Sequence, residues 1–106
     1  MTVEQRSLLH TVNAVVLLDN EGRHLFARHF SSTSMDKDQQ RQWEQRLWES
    51  TRRKPLGQVA VIDGQIVVYK PNLDVVLYVV GPLDSNELML GALLDGLFET
   101  LEVLLK

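Results

Sequence analysis

Apolar residues along the chain form two nearly unbroken runs and one long stretch with helical spacing. The run over residues 12–18, VNAVVLL, is rich in β-branched residues, and LDVVLYVV over residues 73–80 has the same character. Such runs are typical of strands that are covered on both faces. Over residues 85–106, leucines recur on one side of a helix, with Asp95, Glu99 and Glu102 on the other. The pattern predicts two central strands and a long amphipathic helix.

Turn signals and shorter apolar patterns complete the prediction. Asp63-Gly64 is a strong two-residue hairpin signal, and Pro55 ends a helix with a narrow apolar stripe. The predicted elements are strands over 12–18 and 23–30, a helix over 36–53, strands over 56–62, 65–70 and 73–80, and a helix over 85–106.

The helix starts and the preceding break are also predicted from local residues. Either Ser34 or Asp36 can cap the first helix, and Asp84 with Glu87 has the spacing of a capping box for the second. We expect Gly81-Pro82 to break the fifth strand before that helix.

The order of elements predicts the topology. Short connections make neighbouring strands antiparallel, and the first and fifth strands should be central. Placing those two side by side gives the order 2-1-5-4-3, with the first helix on one face and the terminal helix on the other. We therefore expect a single α+β domain over residues 1–106, with a five-stranded antiparallel sheet between two helices.

Composition narrows the function classes. The net charge of −3 gives no reason to expect nucleic acid as a partner, and the absence of cysteine excludes disulfides and thiolate metal sites. Asp95 near the middle of the terminal helix argues against a transmembrane segment. The N-terminus is a poor signal peptide because Glu4, His10 and Asn13 interrupt it. We expect a cytoplasmic protein.

No grouping of residues points to catalysis or to a cofactor. The chain has no Gly-rich phosphate loop and no zinc-protease or calcium-loop motif. His24 and His29 are five apart on a strand, so we expect them on opposite faces, unable to share a metal. The run Arg52-Arg53-Lys54 is expected to be a solvated helix end. The interpretation is a protein that is not an enzyme and holds no metal.

Four apolar residues are candidates for binding a partner. Trp43 and Trp48 share a narrow stripe, so one can pack on the sheet while the other stays partly exposed; both lying in the internal seam is the alternative. On the outer face of the terminal helix, Leu88 and Val103 stand among small residues, where a solvated face would be more polar. We expect partner binding to involve a tryptophan and this outer face.

Three segments resemble the zeta subunits of coatomer, the COPI vesicle coat. They are AVVLLDNEGRHLFARHF at 14–30, VVYK at 67–70, and LYVVGPLDSNELMLGALLDGLFETL at 77–101. The similarity extends from about Leu9 onward, and the first eight or so residues are expected to be disordered. That family is similar to the clathrin adaptor small chains and shares the longin-like fold. It continues into a further C-terminal segment that is absent here.

The resemblance implies a non-enzymatic coat component. It would pair with the coatomer gamma subunit, a helical-repeat chain, and through it with the rest of coatomer and the ARF GTPase. It would act on Golgi membranes as a peripheral protein, in Golgi-to-ER and intra-Golgi transport. A clathrin-adaptor small chain of the sigma type, or another longin-type trafficking domain, is the first alternative. A small-ligand sensor domain or enzyme is the distant one.

Overall fold

The computed structural model describes residues 12–30, 36–53, 58–72 and 74–105. A five-stranded sheet has the order β2-β1-β5-β4-β3, and all neighbouring pairs are antiparallel. The elements are β1 Ala14–Asp19, β2 His24–His29, α1 Lys37–Thr51, β3 Val59–Ile62, β4 Gln65–Pro71, β5 Val75–Pro82 and α2 Glu87–Leu105. The predicted fold class and strand order are confirmed. The N-terminal segment, Ser34 and Lys54 lie outside the described residues.

The sheet separates two apolar cores, and β5 explains why. Its residues alternate, so that Val76, Tyr78 and Val80 face α1 while Leu77 and Val79 face α2. A strand that contributes to both cores must be apolar at every position. Three α2 residues, Leu90, Leu94 and Phe98, complete the second core.

The helix starts are set by side-chain caps. For α1 the cap is Asp36, whose carboxylate accepts from the Gln39 N–H at 2.8 Å while the Gln39 side chain accepts from the Asp36 N–H at 3.1 Å. This is a complete capping box.

The expected capping box for α2 is wrong. The Asn86 side chain accepts from the N–H groups of Leu88 at 2.9 Å and Met89 at 3.3 Å. Asp84 instead lies in a turn, which the Ser85 N–H closes by donating to the Pro82 carbonyl at 2.9 Å.

The expected break at Gly81-Pro82 is also wrong. Both residues belong to β5, where Gly81 pairs with Ile66 and Pro82 with Gln65. Proline is tolerated there because it stands at the end of the ladder. A Cβ on Gly81 would lie 2.7 Å from the Ser85 hydroxyl and 3.1 Å from a Leu90 methyl carbon, so its absence lets the start of α2 pack closely on the strand.

Candidate interaction surfaces

Trp43 packs on the sheet and offers little surface. It is 6% exposed and lies in the core between α1 and the sheet, with its ring centroid 5.6 Å from that of His29. A residue this buried has little surface for contact with another protein, and a part for Trp43 in partner binding stays a prediction.

Trp48 is half-buried and packs over the β1–β2 turn. A Cβ atom on Gly22 would lie 2.6 Å from two carbons of the Trp48 ring, so the indole rests directly on that glycine. Trp48 packs against the same core as Trp43 and also keeps part of its side chain exposed, so it combines features of both alternatives for the stripe. Whether the exposed part of Trp48 binds a partner stays a prediction.

His24 and His29 both face α1, so the expectation of opposite faces is wrong. The ladder between β1 and β2 shifts register between Leu17 and Leu18, which is a β-bulge. An extra residue in the strand reverses the alternation beyond it. His24 Nδ1 then lies 2.7 Å from Oε1 of Glu44, and the His29 ring lies near that of Trp43 on the same side, with the two ring planes tilted by 59°.

Glu44 is a buried carboxyl group in the seam between α1 and β2. It is 3% exposed, its Oε1 lies within hydrogen-bond distance of His24, and its Oε2 has no hydrogen-bond partner among the described residues. Among the described residues no group of three or more acidic, histidine or cysteine side chains could hold a metal ion. The contact between His24 and Glu44 joins β2 to α1.

Two tyrosines lie side by side under α1. The hydroxyl groups of Tyr78 and Thr51 are hydrogen-bonded at 2.8 Å, and the Tyr69 and Tyr78 ring centroids are 5.8 Å apart. Burial, opposed by the Thr51 hydrogen bond and reinforced by the neighbouring Tyr69, raises the pKa of Tyr78 to about 12. Burial also raises the pKa of Tyr69.

This pair predicts the alkaline behaviour of the domain. The folded state holds the tyrosine protons more tightly than the unfolded chain, in which a tyrosine has its ordinary pKa of 10.0. The contribution of these tyrosines to the free energy of unfolding is therefore complete below that pH and falls as the pH rises toward about 12. The ultraviolet absorbance of tyrosinate should stay nearly flat through pH 10 and rise together with unfolding. In urea the same residues should titrate near the ordinary value. A normal titration of the native protein, without unfolding, would contradict the burial of both rings.

A groove of about 580 Å³ lies between the β3–β4 edge and the first half of α2. Leu88, at 84% exposed, and Val59, at 44%, stand on its two sides. Val59 pairs with Val68, whose side chain belongs to the α2-side core, so the groove opens on the same face as α2. The groove therefore joins apolar residues that are far apart in the chain.

Gly91 lines this groove in the interior of α2. A glycine in a helix interior costs about 1 kcal/mol relative to alanine. A Cβ atom built at Gly91 would meet none of the described residues within 4 Å, and the same holds for Gly96 further along α2. Packing within the described part of the chain therefore does not require a glycine at either position.

The charges around the groove are mainly acidic. Lys70 Nζ lies 3.4 Å from Oδ1 of Asp95 and 5.0 Å from the Phe98 ring centroid. Glu87 also lines the groove, and it takes part in none of the ion pairs found among the described residues. Lys70 is already paired with Asp95, whereas Glu87 lies in the first turn of α2, where the helix dipole favours a carboxylate.

The four predicted binding residues do not form one surface. Trp43 and Trp48 lie on the α1 side of the sheet, and Leu88 and Val103 lie on α2. Val103 is 71% exposed but is 15 positions beyond Leu88 on the same helix, about 22 Å along its axis. Only Leu88 belongs to the groove.

Two further observations concern the basic residues at the end of α1 and the length and apolar character of the helices. Arg52 and Arg53 are exposed, and Arg52 Nη1 lies 3.4 Å from Oε1 of Glu49, as expected for a solvated helix end. Neither described helix combines the length and the apolar character needed to cross a membrane.

Comparisons with known proteins define the class to which this fold belongs. Residues 11–106 match the clathrin adaptor complex small chain family, and the chain therefore belongs to that family. A Roadblock/LC7 domain from Streptomyces avermitilis has a similar structure, with a TM-score of 0.65 and 15% sequence identity, covering 94% of this chain and 92% of that one. This second likeness concerns the fold alone.

Among its relatives, this chain is similar to coatomer zeta subunits. Human coatomer subunit zeta-1 is 38% identical over 98 residues, which cover 92% of this chain and 55% of that protein. Mouse coatomer subunit zeta-2 is 36% identical over 105 residues, covering 99% of this chain and 51% of that protein. The chain thus spans about half the length of these relatives. The resemblance identified from the sequence is confirmed.

Proposed function

We propose that this chain is a non-enzymatic small subunit of a COPI-type vesicle coat. The observation that supports this most is its 36–38% identity to coatomer zeta subunits over almost its entire length. Its polar clusters fit the proposal, since His24–Glu44 and Thr51–Tyr78 each join α1 to the sheet.

In this role the chain pairs with the larger coatomer gamma subunit and reaches Golgi membranes through the complex, which the ARF GTPase recruits. Both faces of the sheet are occupied by the domain's own helices. A partner would then contact the outer surface of a helix, a sheet edge or a groove between them. Exposed apolar side chains at such places, Leu88 and Val59 among them, support an obligate partnership.

Co-expression with the helical-repeat trunk of coatomer gamma tests this proposal. We expect the two chains to elute as one complex in size-exclusion chromatography, and the small chain alone to aggregate. The large chain of a clathrin adaptor, expressed in the same way, is the matched control. A monodisperse monomer that does not bind the gamma trunk would overturn the proposal.

The family match keeps one alternative in view, a small chain of a clathrin adaptor. This role predicts binding to the adaptor large chain rather than to gamma, and measurable affinity for an acidic dileucine peptide. The two arms of the co-expression experiment therefore separate the roles.

A further inference from the structure

A small cavity lies on the α1 side of the sheet, where the end of α1 meets the β1–β2 turn and the end of β4. Its volume is about 180 Å³, and Trp48, Tyr69 and Val76 supply apolar walls. Arg52 is the one charged residue among the described residues that line it. An apolar cavity of about 150 Å³ can hold a benzene molecule. The space therefore suits a compact ligand about the size of one ring.

Tyr69 brings an unused hydrogen-bond donor to this cavity. Its side chain belongs to the core under α1 and is 2% exposed, yet the hydroxyl group has no hydrogen-bond partner among the described residues. The neighbouring Tyr78 differs, because its hydroxyl group is bonded to that of Thr51. Burial raises the pKa of Tyr69, so the group stays protonated at neutral pH and can donate. An unpaired hydroxyl in a buried position is unfavourable until an acceptor reaches it.

Two exposed residues that line the cavity add further donors. Asn72 Oδ1 accepts from the N–H groups of Asp74 and Val75, each at 2.8 Å, so the amide nitrogen is the end of this side chain that remains for a ligand. Arg52 contacts Glu49 through Nη1 alone, at 3.4 Å, which leaves its other guanidinium nitrogens outside that ion pair. A phenol, an amide N–H₂ and a guanidinium together favour a ligand that accepts hydrogen bonds and carries negative charge.

We propose that this cavity binds a small carboxylate with a compact apolar body, such as an aromatic monocarboxylate. The apolar body packs against Trp48 and Val76. The carboxylate accepts from the Tyr69 hydroxyl, the Asn72 amide and the Arg52 guanidinium, of which the last gives a charge-assisted hydrogen bond. The site is additional to the coat role and does not depend on it.

Benzoate is the probe for this site, titrated into the full chain in dilute solution. Trp48 lines the cavity and Trp43 does not, so we expect the tryptophan fluorescence to change saturably at millimolar benzoate through Trp48. Benzamide has nearly the same shape without the charge and should bind several-fold more weakly, because it cannot form the charge-assisted bond. Inorganic phosphate lacks the apolar body and should also bind more weakly. The absence of a saturable change, or binding of benzamide or phosphate as tight as that of benzoate, would overturn the proposal.

Two adjacent arginines locate the bound carboxylate. Arg52→Gln should weaken benzoate binding about tenfold, since it removes the one charge that lines the cavity. Arg53→Gln is the matched control, because Arg53 is also exposed but does not line the cavity, and it should change the dissociation constant by less than about twofold. Equal effects of the two substitutions would show that benzoate responds to general charge and not to this site.

Tyr69→Phe separates contact with the ligand from damage to the fold. Because the lost hydroxyl group has no partner among the described residues, the thermal midpoint without ligand should stay the same or rise, while benzoate binding should weaken several-fold. Tyr78→Phe should do the opposite, lowering the midpoint through the lost bond to Thr51 without weakening benzoate binding. If Tyr69→Phe binds benzoate as tightly as the unchanged chain, the proposal is wrong. None of these measurements uses a coat partner, so such a failure would leave the proposed function intact.

Discussion

Replacing Trp43 with alanine is expected to lower the free energy of unfolding by about 3–5 kcal/mol, the range for truncating a buried aromatic side chain. The ring is 6% exposed and fills the space between α1 and the sheet, beside Leu47 and His29. Its removal leaves a cavity that this short helix cannot close by moving, since Thr51 and Glu44 also tie it to the sheet. Urea denaturation followed by circular dichroism measures the loss.

Trp48→Ala provides the comparison, because its ring is only half-buried and should cost clearly less. Any loss of partner binding by Trp43→Ala should follow the fraction unfolded, so binding should recover at a lower temperature or with a stabilising osmolyte. A stability loss under about 1 kcal/mol would contradict the position of the ring in the core.

The sheet could be predicted from the sequence because its two central strands are apolar at both odd and even positions. β1 and β5 each supply residues to both cores, so their runs are almost continuous. Once both are central, short hairpins leave the order β2-β1-β5-β4-β3 as the natural one. The buried stripe of α2 follows in the same way from helical periodicity, as Leu90, Leu94 and Phe98 show.

The two tryptophans show what the apolar stripe of α1 does not predict. Periodicity places Trp43 and Trp48 toward the same side of α1 but does not say which one has sheet beneath it. The position of Trp48 depends on Gly22, in a turn far away in the chain, whose missing side chain makes room for the indole. Contacts between distant segments of this kind leave no local pattern.

Strand alternation places His24 and His29 on opposite faces only if the ladder is unbroken. One bulge in the β1–β2 ladder reverses the alternation of side chains within β2 and places His24 against Glu44. His24, Ala27 and His29 all lie toward α1, which a regular strand would not allow. Their spacing in the sequence does not indicate an extra residue in the strand.

The groove could not be predicted because its two walls come from separate elements. Val59 and Val61 have the character of an ordinary strand, yet they are exposed because β3 is the edge strand and α2 packs mainly on β4 and β5. The sequence indicated Leu88 as an unusually apolar residue on an outer helix face. It did not indicate what stands opposite.

The second large effect is expected at Gly22, where alanine should lower the free energy of unfolding by about 3 kcal/mol. The residue has φ of +83°, a conformation that costs an L-residue about 1–2 kcal/mol. The added Cβ would also lie 2.6 Å from two Trp48 ring carbons, so the indole must move, and forced displacement of packed side chains typically costs about 1–3 kcal/mol. The measurement is again urea denaturation.

Gly64 separates the two contributions to the Gly22 effect. It has a similar φ of +73° in the β3–β4 turn, but a Cβ there meets nothing within 4 Å, so Gly64→Ala should show the backbone cost alone, about 1–2 kcal/mol. In a Trp48→Ala background, Gly22→Ala should fall to the same cost, because the side chain it displaces is gone. The difference between the losses that Gly22→Ala causes in the two backgrounds is the coupling energy between Gly22 and Trp48. Equal losses for Gly22→Ala and Gly64→Ala in the unchanged chain would show that the Trp48 indole does not rest on the β1–β2 turn. Trp48 would then not join α1 to the first hairpin.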